Sequence, residues 1–471
     1  MLNTKAKRSL LLLSILLILL CGFARFKYTH NTLDDSRDTS GSSKEKLEIN
    51  VKSSAFWDEN DVSFIHISND NWSETDLPWI QNKTGTWDDP HVIENVTING
   101  QNSRNCILIE NSNEHFIIKN CTLYNAGPSS SAGIKIYNCN NGSLIDNNCS
   151  NNNIRGITLD DCQNMDIIDN TAIGNDEMGI LTLFCSYINI SKNTVSHNLA
   201  GIYDFLGDNI TIMDNSATNN EYGIFLYAST DTFIIDNTEI EKNVEGIHIF
   251  AEGGNHITNN VVNNNNESGI VLRHTGYNTL TQNTVNYNDK CGIRAHSIVW
   301  TTIYDNTLNY NGESGILLNI SGYNNIYENT ANYNEESGIV LNKSYWNNIT
   351  ENTASYNEKY GIFLNKSYYN NITENIANYN YCGINLTSSG YNNITGNDLR
   401  CNTVCYYNDS LSIGNTIENN ICGPCPGPSN GGGDGNGKKT QAPDYTIPLI
   451  IGGISAIALA GVGIFILKKR R

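Results

Sequence analysis

The stretch Ser337-Gly338-Ile339-Val340-Leu341-Asn342-Lys343-Ser344-Tyr345-Trp346-Asn347-Asn348-Ile349-Thr350-Glu351-Asn352-Thr353 holds one full statement of the pattern that decides this fold. Its Gly-Ile pair returns at Gly361-Ile362, and working outward it occurs twelve times, every 22 or 23 residues, from Gly133 to Gly383. An asparagine stands fourteen residues after each of these glycines, from Asn147 to Asn397, and an Ile or Leu stands eleven after it. Positions in a coil are counted from its glycine.

Position one is always Ile and position three is usually aliphatic, as in Leu226, Leu272 and Leu341. Apolar residues at one and three with polar ones between them give the period-two alternation of a half-buried strand. Apolar residues at eleven and at sixteen (Cys149, Ala172, Val195, Val262, Val285) mark a second and a third short strand. Three short strands cannot close a core alone. They close one by winding as a coil that stacks on the next. Helical repeats of the TPR, ankyrin or HEAT kind need more than about 30 residues with 3.6-residue periodicity, which is absent. The expected fold is therefore all-β, a right-handed parallel β-helix solenoid. Twelve coils rise roughly 58 Å, and the segment near Ile107 adds another coil. The asparagines at fourteen, and a second column at nineteen that runs from Asn152 to Asn402, are expected at left-handed corners, with their amides bonded from coil to coil.

The ends have other compositions. Lys5, Lys7 and Arg8, then the apolar run from Leu10 to Leu20, make 1–24 a signal peptide or an uncleaved signal anchor. Residues 25–60 form a polar linker, 61–422 the β-helix with an amino-terminal cap at 61–105, and 423–446 a Gly/Pro-rich spacer. Residues 447–467 carry no charge over a length that spans a bilayer, and Lys468, Lys469, Arg470 and Arg471 form a cytoplasmic tail. A single-pass protein of the cell membrane with its β-helix outside is the expectation. A net charge of −19 argues against nucleic acid as a partner. Sequons such as Asn71, Asn82, Asn95, Asn209, Asn319, Asn342, Asn348, Asn365, Asn371 and Asn393 make glycosylation an expectation for such a surface.

Thirteen cysteines suit an oxidising exterior. Cys139, Cys162 and Cys185 recur six residues after their glycines, where two of them could bridge. Cys401, Cys405, Cys422 and Cys425 bracket the last coil; a disulfide cap is the expectation there and a zinc site the alternative.

The units quoted above resemble the right-handed parallel β-helix proteins grouped with NosD, a set that includes the carbohydrate-binding and sugar-hydrolase (CASH) domain. The lead-in Gly85-Thr86-Trp87-Asp88-Asp89-Pro90-His91-Val92-Ile93-Glu94-Asn95 looks like the first coil of archaeal cell-surface members. The resemblance spans roughly 61–422 and implies the fold. The copper-site maturation associated with NosD is not carried over, because the chain has only four Met. No segment matches the catalytic aspartates of polygalacturonases or the calcium-and-arginine site of pectate lyases.

Function is sought where the repeat breaks. Positions two and four point outward on the first sheet and read Tyr203 and Phe205, Phe225 and Tyr227, His248 and Phe250, Val271 and Arg273, then Arg294 and His296. Neighbouring coils would put Phe250, Arg273 and His296 in direct contact. Rings pack on sugars and arginine pairs with carboxylates, so these residues are the candidate ligand site for an acidic or neutral polysaccharide. The plainer alternative is an aromatic stripe covered by a loop or by the amino-terminal segment. Asp204 occupies an inward position; a bulge turning it outward is expected, and a catalytic acid beside Tyr203 is the alternative. Acidic residues at thirteen, from Asp146 to Glu374, form a solvated face, with calcium between them as the alternative. Tyr277, Trp300, Tyr323, Trp346, Tyr369 and Tyr391 at eight are expected to stack on one another and stiffen the last coils. No cofactor is expected. These features favour a cell-surface structural or binding module that meets polysaccharides or other surface proteins. The alternative is a carbohydrate-active enzyme, a polysaccharide lyase or a glycoside hydrolase, which needs an acid and a base flanking one sugar bond.

Overall fold

The computed structural model describes residues 64–425 apart from 75–79, 82 and 129. The segments 1–24, 25–60, 447–467 and 468–471 lie outside these residues, as does the spacer beyond 425. By internal contacts the chain divides into Met1–Pro424 and Cys425–Arg471, and the coils belong to the first unit. Among the described residues no helix is long and apolar enough to cross a membrane.

Two long sheets run the length of the solenoid. The first has 15 strands, from Ile65–Ser68 to Val404–Asn408, and the second has 16, from Ile80–Gln81 to Thr416–Glu418. Pairing is parallel and in register throughout, except that Ile80–Gln81 runs antiparallel to His91–Glu94. The third sheet is shorter than the pattern suggests. It holds four strands, from Thr171–Ile173 to Glu239–Glu241, and higher up only single bridges such as Val261 with Thr284.

The inward residues at one, three, eleven and sixteen form one continuous core; Ile339, Leu341, Ile349 and Ala354 are all fully buried. The recurring glycine is required for space rather than for backbone freedom. A β-carbon added at Gly361 would sit 2.6 Å from the Ala377 β-carbon and 2.7 Å from the Gly383 carbonyl. At Gly269 it would meet Val285 Cγ1 at 2.3 Å. Coils stack so closely here that only hydrogen fits.

The corners differ from the expectation. Four residues per coil are left-handed, at five, eight, thirteen and eighteen, for example Ile320, Tyr323, Glu328 and Tyr333 with φ of 52–58°. The asparagines at fourteen are not among them; the acidic column at thirteen turns the corner. The asparagine beside it is thereby aimed inward and fully buried. Asn306 Oδ1 accepts from the Asn283 backbone N–H at 3.0 Å and from its amide at 2.9 Å. The Asn306 amide donates to Asn329 Oδ1, to the Leu280 carbonyl and to the Tyr304 carbonyl, each at 2.9 Å. The column at nineteen repeats this arrangement, as in Asn311 to Asn334 at 3.1 Å. A third inward column that the sequence pattern did not single out, at nine, links Asn324, Asn347, Asn370 and Asn392. These amides satisfy the backbone groups that each buried corner would otherwise strand.

Cys139, Cys162 and Cys185 are buried free thiols, not bridged. In-register neighbours hold their β-carbons near the strand spacing of about 4.8 Å, longer than a disulfide accepts. The Cys139 thiol instead donates to the Tyr137 and Ile109 carbonyls at 3.2 and 3.6 Å. In the last coil Cys405 and Cys422 are joined, with Cα atoms 5.6 Å apart, and Cys401 is disulfide-bonded as well.

Candidate functional site

The outer face of the first sheet departs most from the repeat. Positions minus one, two and four point outward there, because the glycine and position one both face the core. Three zones succeed one another up this face.

In the middle zone, ring rows replace polar residues. Position two gives Tyr203, Phe225 and His248, with centroids 5.0 and 4.7 Å apart. Position four gives Phe205, Tyr227 and Phe250, stacked at 5.2 and 5.1 Å. Tyr203 and Phe205 are only 8% and 4% exposed and belong to a small apolar cluster with Met178, Leu181 and Ala200. Their faces are spent on protein contacts, which leaves Phe225, Tyr227 and Phe250 partly accessible.

The upper zone is charged. Glu245, at minus one, is buried and accepts from His248 Nδ1 at 2.5 Å, while the Arg273 guanidinium lies 3.7 Å from its other oxygen. Burial works against the Glu245 charge, but His248, Arg273 and Arg294 outweigh it and hold the carboxyl below its usual range. His248 Nε2 is buried with no partner, so this imidazole does not present a base to solvent. Arg273, Arg294 and His296 are partly exposed. Burial lowers the His296 pKa, and the charges of His274, Arg273 and Arg294 lower it further. Phe250, Arg273 and His296 are aligned in register, yet the ring contacts run through His274, which sits 5.7 Å from Phe250 and 5.4 Å from His296. Arg273 turns back to Glu245 instead. Glu245 and His274 escape a reading of positions two and four alone. A carboxylate at a position that is Ala, Ser or Cys in most coils is the signal that marks Glu245.

Asp204 faces the core, not the solvent, and is fully buried. No bulge turns it out, because its carboxyl fills the space left by Gly207, where a β-carbon would lie 2.2 Å from Asp204 Oδ2. Thr182 Oγ1 donates to its Oδ1 at 2.5 Å, and Oδ2 has no partner. Burial pushes this carboxyl up to about 6, against the Ser229 and Thr182 hydroxyls. Sealed inside, it cannot be a catalytic acid beside Tyr203.

The lower zone is absent from the sequence-based expectations. Asn105, Leu108, Glu110, Lys135, Tyr137 and Asp160 line a cavity of about 200 Å³ on the same face. Elsewhere, Trp300, Tyr323, Trp346, Tyr369 and Tyr391 stack at 4.4–6.5 Å, and a parallel column of Tyr287, Tyr310, Tyr333, Tyr356 and Tyr379 stacks at 4.5–5.0 Å. Among the described residues no three His, Cys, Asp or Glu side chains are placed to hold a metal ion. The acidic column at thirteen is interrupted by neutral side chains, as where the Asn259 amide donates to Asp236 at 2.6 Å.

A family model described as "Right handed beta helix region" matches residues 83–240, 185–307 and 245–399. The chain belongs to this right-handed β-helix family. No curated protein matches it. Among solved structures, this right-handed β-helix protein is similar to the periplasmic alginate epimerase AlgG, at 14% identity and a TM-score of 0.38, covering 77% of this chain and 84% of that one. It is also similar to the mannuronan C-5 epimerase AlgE4 A-module of Azotobacter vinelandii, at 13% identity and a TM-score of 0.40, over 70% and 88% of the two chains. The Dettilon tailspike protein gp208 matches at 14% identity and a TM-score of 0.37, over 64% and 61%. At such identities the likeness concerns the coiled fold.

Proposed function

We propose that this protein is a membrane-tethered surface rod whose first sheet binds an acidic polysaccharide. The observation that carries the proposal is the placement of Arg273 and Arg294, partly exposed on a chain of net charge −19, at the end of the Phe205–Tyr227–Phe250 ring row. Guanidinium groups pair bidentately with carboxylates, and the accessible ring edges of Phe225, Tyr227 and Phe250 offer apolar contact to the sugar ring between them. Glu245 orients Arg273 from below, and the neutral His296 adds a hydrogen-bonding group without adding charge.

The tether belongs to the same proposal: 1–24 directs export or anchors, 447–467 spans the membrane, and the NosD-like, archaeal surface resemblance of the lead-in agrees with an extracellular rod. Sequon glycosylation belongs to it as well. Full-length protein on a glycan array of acidic and neutral polysaccharides is the test. Binding that favours acidic chains, falls with salt and is weakened in Arg273→Ala and Arg294→Ala is expected. No binding across the panel would leave only a scaffold.

A further inference from the structure

The upper coils carry another pocket, away from the outer face of the first sheet. It lies at the corner that leads into the second sheet. Trp300, Tyr323 and Trp346 at position eight, with Thr302, Asn325 and Asn348 at position ten, line a cavity of about 370 Å³ there. The threonine and the two asparagines are in register on the strands Thr302–Tyr304, Asn325–Tyr327 and Asn348–Thr350.

The rings stand where the backbone disfavours them. Trp300, Tyr323 and Trp346 are left-handed, with φ of 51, 58 and 59°. Lower coils put Asn141, Asn164, Asn209 and Asp231 at the same left-handed corner, residue types that tolerate it better than a bulky ring does. The rings nevertheless remain 52, 48 and 51% exposed. Stacking between coils accounts for only part of their placement. Tyr323 and Trp346 are parallel within 7° but have centroids 6.5 Å apart, against 4.8 Å for Trp300 with Tyr323 and 4.4 Å for Trp346 with Tyr369. The wider pair covers less of its own faces, which leaves ring surface open to the pocket.

An amide row ends in the same pocket. Asn393 donates to Asn371 at 2.8 Å, Asn371 to Asn348 at 2.7 Å and Asn348 to Asn325 at 2.9 Å. Thr302 takes the next place in the row. Among the described residues, the Asn325 side-chain amide therefore donates to no group, and the Thr302 hydroxyl is also unpaired. No Asp, Glu, Lys, Arg or His lines the cavity. An anionic polymer would find no cation there, and the net charge of −19 opposes its approach. An uncharged sugar, with apolar ring faces and a rim of hydroxyls, matches both the rings and the free amide.

We propose that this pocket binds a neutral oligosaccharide or polysaccharide, at a site separate from the acidic-polysaccharide face of the first sheet. A sugar ring packs on Tyr323 and Trp346, while its hydroxyls accept from the Asn325 amide and exchange hydrogen bonds with Thr302. The site does not depend on the reading of Arg273 and Arg294.

The test is affinity electrophoresis of the full-length protein in gels holding laminarin, a soluble β-1,4-glucan, a β-1,4-mannan or xylan, with hyaluronan and polygalacturonate as acidic comparisons. Titration with the matching oligosaccharides is followed by tryptophan emission, since Trp300 and Trp346 both line the pocket. At least one neutral polymer should retard the protein, independently of salt, and its oligosaccharide should change the emission. Trp346→Ala should weaken this binding about tenfold and Asn325→Ala roughly two- to tenfold, whereas Trp346→Phe should keep most of it. Arg273→Ala should leave neutral binding unchanged. Thermal melts check that the variants fold; should Trp346→Ala fail to fold, Asn325→Ala and Trp346→Phe decide. Retardation by no neutral polymer overturns the site. So does binding that is equal in the parent and in the Ala variants, or neutral binding that is lost in Arg273→Ala.

Discussion

Inside the solenoid, the coils that start at Gly201 and at Gly338 are nearly interchangeable; outside, they have little in common. Both bury Ile at one and eleven and an inward Asn at fourteen and nineteen. On the outer face of the first sheet, however, the lower coil presents Tyr203 and Phe205 where the upper presents Val340 and Asn342. The upper coils repeat one solution: amide ladders such as Asn342 to Asn319 at 2.9 Å, and exposed ring columns. The difference teaches that stacking constrains the interior coil by coil, whereas the exterior is free to vary. Variation there marks what the repeat does not need.

The largest expected effect comes from breaking the interior where it is most regular. Asn306→Ala removes the acceptor of the Asn283 backbone N–H and amide and the donor to the Leu280 carbonyl, all buried. At roughly 1–3 kcal/mol for each stranded group, the loss should reach about 4 kcal/mol. Chemical denaturation should show it as a lowered midpoint, with local opening around the affected coil because solenoids are held by nearest-neighbour contacts. A loss below about 1 kcal/mol would mean that water replaces the amide, and the interior would then be less strict than its geometry implies.

At Asp204, bonded to the equally buried Thr182, the interior of the lower coils breaks the aliphatic rule, and removing the carboxylate should stabilise the protein. Its folded pKa of about 6 lies above the ordinary 3.8, so the native state binds the proton more tightly than the unfolded chain. Its favourable contribution is complete below about pH 3.8 and is lost as pH rises to about 6; above that a constant penalty of about 3 kcal/mol remains. Asp204→Asn keeps an acceptor for Thr182 and removes the charge. Thermal melts should show a gain approaching about 3 kcal/mol at pH 7–8 that vanishes near pH 4. A variant no more stable than the parent at pH 8 would mean that Oδ2 finds a partner in solution.

The contrast between interior and exterior also explains what was legible in the sequence. The fold was, because a clash such as that of Gly361 with Ala377 recurs in every coil and writes itself as a period. The register was legible too, and it placed Arg273 and His296 on one face. Asp204 was misjudged because its compensation lies three residues away in Gly207, a loss of side chain that no hydrophobic pattern reports. The asparagine at fourteen was given the corner that Glu328 or Glu351 takes, since an inward amide and a left-handed amide leave the same mark in a sequence. The pocket lined by Glu110, Tyr137 and Asp160 was overlooked because it forms only across stacked coils, from residues far apart in the chain.

On the exterior, Arg273→Ala should weaken binding of an acidic polysaccharide about tenfold, equivalent to about 1.4 kcal/mol, without shifting the melting temperature. Arg273→Lys should recover only part of it, because an ammonium cannot form the two-pronged contact. A change in stability with unchanged binding would turn the upper zone into a structural ion pair between Arg273 and Glu245.

The smallest effect tests whether the regular exterior of the upper coils is structural at all. Tyr333 stacks between Tyr310 and Tyr356 at 5.0 and 4.9 Å, and its backbone is left-handed at φ 57°. Tyr333→Ala deletes two ring pairs, each worth roughly 0.5–1.5 kcal/mol, and keeps the backbone strain. Tyr333→Gly deletes the same pairs but relieves a left-handed cost of roughly 1–2 kcal/mol. If the column stiffens the rod, Ala should cost about 1–3 kcal/mol and Gly should recover about 1–2 kcal/mol of it, a difference that the two denaturation midpoints can resolve. If Ala is neutral, stacking adds nothing to stability. The exposed rings from Tyr287 to Tyr379 would then be as free to serve a ligand as the irregular face below them.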